Sequence, residues 1–572
     1  MSAAAAESGS AGYDYDIVIG GGGAVAFAMV QQLHGATKAD KSALRVLVLE
    51  SSGKEESCGN EDEHNDAGYN PRWRDNNQII RDLDKGSVAP GSFLDRLKKD
   101  VPDVRDFLTR SRTRCYGGST SCWGGWIRPL DSYDFDKWAM KRSALDGTSK
   151  TDQNPKNYYA EALKLVGLSH FDLFDEPEKW KQYALNSIDV FDKGKLAAAG
   201  LQTVVIQDKR KTSVIDFIEN TALLPAFKDN VTLVRNATVV DMDYVWDESS
   251  GYGIGRITSL TYQGLEPDGR GGFKPGERVK VSARHFVLAM GALEITRFLL
   301  YKQHGSPWFG KMYEVGKYYM NHPKYEIVAR AWLARDKWQD FVTQKSFYSN
   351  LVPTDLDDSY VQAYIVPTED AVRNGLPFDK DRKVKNFRTV VGWQWDSTKG
   401  MWLVNVEINF EQVPYGLSKV TLPNFNDKDV FGIPRMMLDW QFRMEDADTV
   451  NNALVMVRQW LGQYDPAVLD RKLKDRWKSL EWTFDWDHPY PPSRDVENRP
   501  IYTGDHHMGL CSMNSDESQS DGIVDSNLRV NSSANLWICS TAVYPTGGWA
   551  NATFTLLAMA LRLADHLKEV CK

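Results

Sequence analysis

Apolar and polar positions alternate in two textures along this chain. In the first, YDYDIVIG gives a short apolar run that ends on the first of four consecutive glycines, and AVAFAMVQQL places apolar residues at helical spacing. RVLVLE, residues 45–50, is a second apolar run of strand length that ends on an acid. Strand, glycine turn, helix and strand predict the opening βαβ unit of a dinucleotide-binding domain. HFVLAMGALEITRFLL, residues 285–300, repeats the sequence of strand, small-residue turn and helix. NYYAEALKLVGL predicts a further helix, and VTLVRNATVVDMDYV, from Val231, alternates as strands do. Near the end NLWICST reads as a strand and ATFTLLAMALRLADHLKEV as a long closing helix, expected to pack back on the nucleotide domain.

The second texture fills the region from about residue 310 to 500. FRTVVGWQW and MWLVNVEINFEQV alternate with period two and are joined by DSTKG, which predicts an antiparallel hairpin. By alternation Trp393 and Trp395 share one face, and Trp402, Val404, Val406 and Ile408 are expected on another. The organisation implied is α/β: a Rossmann-like domain in two segments, 13–310 and 501–572, with an inserted α+β domain, 311–500, built on an antiparallel sheet. Residues 51–77 are polar without periodicity and predict a solvated loop or a lid.

Composition narrows the function classes. A chain of 572 residues, 42% hydrophobic and 26% charged, is an ordinary globular protein, and no apolar run suggests a membrane span. A net charge of −8 without a dense lysine or arginine run argues against a nucleic-acid partner. The six cysteines form no CxxC pair, so neither a disulfide framework nor a zinc site is expected. The ten histidines show no metal-ligand spacing, so no metal is expected. The opening MSAAAAESGSAG lacks both a basic start and an apolar stretch, which predicts a cytoplasmic protein with a floppy tail.

Gly21-Gly22-Gly23-Ala24-Val25-Ala26 fits G-x-G-x-x-G/A, with Gly21, Gly23 and Ala26 in the matched places. The glycines permit a tight turn and close approach of a pyrophosphate to the amides that open the following helix. Glu50 stands where an acid accepts the adenosine ribose hydroxyls, which disfavours a 2′-phosphate and leaves FAD and NAD.

Four separated segments then carry a resemblance: GGGGAVA with Glu50; YGGSTSCWGGWIRPLDSYDF from Tyr116; EQVPYGLSKVTL with GIPRMMLDW; and HHMGLCSM with GIVDSNLRV and GWANATFTLLAMALR. Together they resemble the glucose-methanol-choline (GMC) flavoprotein oxidoreductases, in the branch near pyranose oxidase and bacterial sugar dehydrogenases. The resemblance implies FAD, an alcohol substrate (a sugar or glycoside in that branch), and oxygen or another electron acceptor. By position it places Gly117, Gly118, Ser119 and Thr120 against the flavin and its diphosphate, with Val239, Ala550 and Asn551 among the cofactor contacts. Where relatives have a histidine before tryptophan, this chain has Cys122 before Trp123, so a histidyl linkage is excluded; a cysteinyl bond from Cys122 is chemically conceivable, and non-covalent FAD with Cys122 as a small buried group is expected.

Alcohol oxidation needs a base for the hydroxyl proton and a polar group that holds the oxygen. Counting back three positions from Gly509, the resemblance puts the base on His506, and the partner position ahead of the last helix on Asn551. His507 is open between orienting His506 and packing the loop, His322 in MNHP reads as structural, and Trp549 is a candidate wall of the substrate pocket. Asn551 could also serve only as a helix cap. Oxidation of a steroid or other bulky alcohol, a flavin-containing lyase and a non-catalytic dinucleotide scaffold are the alternatives.

Overall fold

The computed structural model describes residues 12–52, 83–97, 107–150 (except 113, 115–116, 122 and 124), 155–168, 196–203, 230–247, 254–306 (except 271–272), 312–334, 352–353, 360–374, 385–456 (except 444, 447, 451 and 454–455) and 502–572 (except 520). The polar stretch 51–77 lies almost wholly outside them, beyond Ser51 and Ser52, as does Cys122.

A seven-stranded sheet organises the first texture. β1 (Tyr15–Gly20) pairs in parallel with β2 (Val46–Leu49) on one side and with the end of the Phe273–Leu288 strand on the other. Val231–Val234 adds to the outer edge of β2, and Leu536–Ile538 lies parallel to Phe273–Leu288. β2, VLVL, is apolar and buried at all four residues because both faces of the sheet are covered there. Helix α1 (Ala24–Leu33) packs against the closing helix Ala552–Val570, which brings the two ends of the chain together. The Phe273–Leu288 strand serves two partners: its exposed first half continues an antiparallel ribbon with Ile254–Pro267, and its buried second half enters the parallel core.

The second sheet is antiparallel, and includes Pro323–Ala334, Met401–Phe410, Phe387–Asp396, Tyr360–Pro367, Leu196–Thr203 and Trp126–Ile127 in that order. Two of its strands come from before residue 310, so the sheet does not follow the simple division of the chain read from texture. LAAAGLQT carries no alternating branched or aromatic pattern, and a two-residue strand has no periodicity to read.

The predicted hairpin forms in register from Phe387↔Phe410 to Asp396↔Met401. Its faces differ from the expectation. Trp395 stands opposite Trp402, with ring centroids 5.2 Å apart, and directly opposed residues point to the same side. Trp395, Trp402, Val406 and Ile408 therefore share one apolar face. The other face carries Asn386, Arg388, Glu407, Asn409 and Glu411. Asn386, Asn409 and Glu411 are buried, so this polar face covers the site described below and is not simply turned to water. No helix among the described residues is long and apolar enough to cross a membrane.

Candidate active site

Two glycine turns close on each other at the end of β1. Gly21 has φ +109°, and a Cβ there would lie 2.5 Å from the Ala289 carbonyl oxygen, so only glycine fits. Gly117 donates its N–H to the Gly22 carbonyl at 3.0 Å, and a Cβ on Gly118 would sit 3.4 Å from the Gly23 Cα. Thr120 Oγ1 donates to the Gly117 carbonyl at 2.6 Å, which holds the short Gly118–Ser121 turn. Gly23 caps α1 with no side-chain hydrogen bond, leaving the first-turn amides directed at the space between the turns.

Glu50, at the end of β2, is buried and accepts from the Gly22 amide at 2.8 Å and the Ser52 amide at 2.8 Å. Burial raises its carboxyl above the usual range, against the pull of those hydrogen bonds and of Arg114. Val239 lies beneath the turn, where a Cβ on Gly20 would meet its Cγ2 at 3.1 Å.

One continuous cleft is lined by Gly21, Gly23, Glu50, Gly117, Gly118, Ser119, Thr120 and Val239 at one end, and by Asp505, His506 and His507 at the other. Ala26, Trp549, Ala550 and Asn551 are buried and do not line it. Ala26 is a packing position inside α1, where a small side chain lets helix and strand approach. Trp549 differs most from its expected place as a pocket wall. Its Nε1 donates to Asp131 Oδ2 at 2.7 Å and the Arg128 guanidinium lies 4.9 Å from its ring, so it anchors the chain before the last helix.

Sequence reading missed four charged residues on this cleft. Arg114 meets Asp84 at 2.8 Å and Glu294 at 2.7 Å, and Arg112 lies 3.4 Å from each. Burial alone would raise the Glu294 carboxyl, but Arg114, Arg297 and Arg112 outweigh it and hold it at about 2. The signal was present as the basic spacing of TRSRTR immediately before the second glycine turn.

The adjacent histidines divide sharply. His507 Nδ1 lies 2.9 Å from the Tyr319 hydroxyl, and its Nε2 lies 3.1 Å from the Ser111 carbonyl and 3.0 Å from Ser111 Oγ. Asn321 Nδ2 donates to the Tyr319 hydroxyl, which can then donate to Nδ1, so His507 donates from Nε2. Burial and Arg112 hold it down at about 3, neutral at ordinary pH. With both ring nitrogens engaged, His507 is a strut.

His506 uses one ring nitrogen. Its Nδ1 lies 2.8 Å from His322 Nδ1, with the rings nearly perpendicular at 87°. The Asn321 carboxamide oxygen accepts from both the His322 and His506 amides, at 2.8 and 3.1 Å, and so clamps the two histidines together. His322, expected to be structural, is therefore in direct contact with the candidate base. Burial first, then the neighbouring His322, Arg388 and His507, hold His506 well below the ordinary histidine value.

Asn551 does not cap the closing helix: it occupies the N-cap position without a side-chain cap bond. Its Nδ2 instead donates to the Trp126 carbonyl at 3.1 Å, and its Oδ1 accepts from Arg388 Nη1 at 3.0 Å. The polar sheet face fixes the loop before it, because Glu411 accepts from the Gly547 and Gly548 amides at 3.1 and 3.0 Å. A Cβ on Gly547 would come within 3.3 Å of His322 Nε2, so this loop and the histidine pair share one region. Among the described residues, no direct hydrogen bond joins Asn551 to His506.

Gly504 gives a direct test of the geometry. A Cβ there would lie 2.9 Å from His506 Nδ1 and 3.3 Å from the His322 Cβ. Gly504→Ala is expected to push the His506 ring off its His322 contact, lowering catalytic rate by about tenfold or more while costing about 1–3 kcal/mol of stability. Turnover and thermal unfolding, measured together, check both halves.

Residues 414–560 match the sequence family described as GMC oxidoreductase. Among solved structures the chain is similar to pyridoxine 4-oxidase from Mesorbium loti, at 15% identity and a TM-score of 0.49, covering 97% of this chain and 99% of that one. No curated protein matches the chain. The matching segment, 414–560, holds His506, His507 and Asn551 and is similar to GMC oxidoreductases, and the protein is an oxidoreductase.

Proposed function

We propose that the cleft holds FAD without a covalent bond and that the protein oxidises an alcohol to a carbonyl, with His506 as base and Asn551 holding the oxygen. The observation that carries this reading is the continuity of the cleft from the paired glycine turns and Glu50 to His506. The residues fit the cofactor. No Cβ intrudes between the turns, the amides of α1 are uncapped, and a buried acid closes β2. Bound FAD supplies the acceptor for the hydride and its two electrons, which pass on to oxygen or another acceptor.

The protein's own part is positional and acidic–basic. For His506 to take the hydroxyl proton on Nε2, its Nδ1 must carry hydrogen and donate to His322 Nδ1. Asn321 keeps that pair from rotating through its two amide contacts. The hydroxyl is proposed to belong to a sugar or glycoside. Asn386, Arg388 and Asn409 on the covering sheet face support a polar substrate over a sterol. A cytoplasmic setting belongs to the same reading, supported by the buried free thiols Cys511, Cys539 and Cys571.

The test is anaerobic mixing of the purified protein with sugars, glycosides, polyols and sterols, following loss of flavin colour from pH 8 to pH 5. Because its conjugate acid is held well below 6.5, His506 stays neutral as the pH falls through that value. The rate of flavin reduction by an active alcohol is expected to stay flat there, where a solvent-exposed histidine base loses about tenfold per pH unit. Well-folded protein without flavin, or flavin that no alcohol bleaches, removes the proposal.

A further inference from the structure

Half-buried Arg388 stands apart from Arg112, Arg114 and Arg297. Arg112, Arg114 and Arg297 each face carboxylates within 3.4 Å. Arg388 has no carboxylate within ion-pair distance among the described residues. On its face of the sheet Glu407 is taken by Lys324 at 3.2 Å, and Glu411 by the Gly547 and Gly548 amides and by Asn386. Of its nitrogens, Nη1 donates to Asn551 Oδ1 at 3.0 Å, Nε is buried without a partner, and no acceptor among the described residues meets Nη2. The guanidinium is held 5.1 Å from the centre of the Tyr364 ring, which fixes its plane. A half-buried guanidinium with its Nε enclosed and unmatched is costly, and an anion beside it would offset that cost.

Nη2, which is not among the enclosed atoms, is the donor left for an anion, and a carboxylate there would be held by a charge-assisted hydrogen bond. We propose that Arg388 is the receptor for a carboxylate on the substrate, so that the alcohol oxidised is a hydroxy acid, a sugar acid in the carbohydrate case. This rests on the alcohol-oxidising reading, since it is Asn551 that ties Arg388 to the reacting oxygen. Donation from Nη1 to Asn551 couples the two tasks. Docking the carboxylate on Nη2 fixes Nη1, and with it the carboxamide that holds the hydroxyl.

The experiment compares substrates that differ only in the charged group, D-gluconate against D-sorbitol and D-galacturonate against D-galactose, by anaerobic flavin reduction of the holoenzyme. The acid of each pair is expected to have the lower KM. Arg388→Gln is expected to raise KM for the acid by about 10- to 100-fold, the worth of a charge-assisted pair, with a clearly smaller change for the neutral partner. Arg388→Lys is expected to recover part of the loss. Calorimetric titration with malonate supplies a readout independent of turnover: wild type binds, and Arg388→Gln, shown folded by its melting curve and flavin content, does not.

A wild type that favours neither acid, or an Arg388→Gln variant that loses kcat equally on both members of a pair, overturns the receptor and leaves Arg388 as a prop for Asn551. Malonate that binds neither protein, or both alike, overturns it as well. Malonate binding that depends on Arg388, in a protein whose flavin no alcohol reduces, keeps the receptor and sinks the oxidation reading.

Discussion

His506→Ala is expected to retain its flavin and to lose about 10²- to 10⁴-fold in the rate of flavin reduction, the range typical of removing a positioned general base. The ring makes one side-chain hydrogen bond, to His322, and its removal leaves the glycine turns and Glu50 at the other end of the cleft untouched. His507→Ala is the control that separates chemistry from packing. It opens the Tyr319 and Ser111 contacts and the edge-on contact with Phe107, so it is expected to destabilise the fold by about 2–4 kcal/mol. Anaerobic stopped-flow, with flavin content and thermal unfolding on the same preparations, distinguishes the two. If His506→Ala reduced its flavin at the wild-type rate, or His507→Ala lost rate without losing stability, the division of labour between the pair would be wrong.

The second large effect is at the other end of the cleft, where two neighbouring glycines are expected to fail differently. Gly21→Ala combines a φ of +109° with a Cβ 2.5 Å from a backbone oxygen that cannot swing away. Strain and clash together should exceed about 3 kcal/mol, and the expected result is little folded protein. Gly23→Ala meets nothing nearer than the Gly117 carbonyl oxygen at 3.9 Å, and its backbone at φ −83° suits any residue. That variant is expected to fold within about 1 kcal/mol of wild type, yet to purify with less flavin, because the added methyl group occupies the approach to the amides of α1. Flavin-to-protein ratio against unfolding midpoint reads both. Equal flavin content in Gly23→Ala and wild type would show that the turn does not carry the cofactor.

His506 and Asn551 were reached through spacing to Gly509 and to the last helix, but nothing in MNHP announced that His322 would lie 2.8 Å from His506. Those two histidines are 184 residues apart, and an Asn321 carboxamide joins them. Trp549 failed for a related reason. An aromatic residue two positions from a site looks like a wall, whereas Asp131 and Arg128, over 400 residues earlier, draw it into the interior.

By itself the sequence determined the local pieces: β1, the glycine turn, α1 and β2, the Phe387 to Phe410 hairpin, and the closing helix. Each depends on periodicity, propensity or a backbone freedom that a few adjacent residues specify. Tertiary structure alone decided which polar residues became a site. Alternation marked Asn386, Arg388 and Glu411 as one face of a strand pair, and a polar face would ordinarily be solvated. Packing against the loop that precedes Asn551 buried it, and burial is what gives an unmatched guanidinium edge or a shared imidazole contact its chemical consequence. Pairing between residues distant in sequence is set by how sheets stack and which strands they recruit, and no local pattern in this chain encodes it.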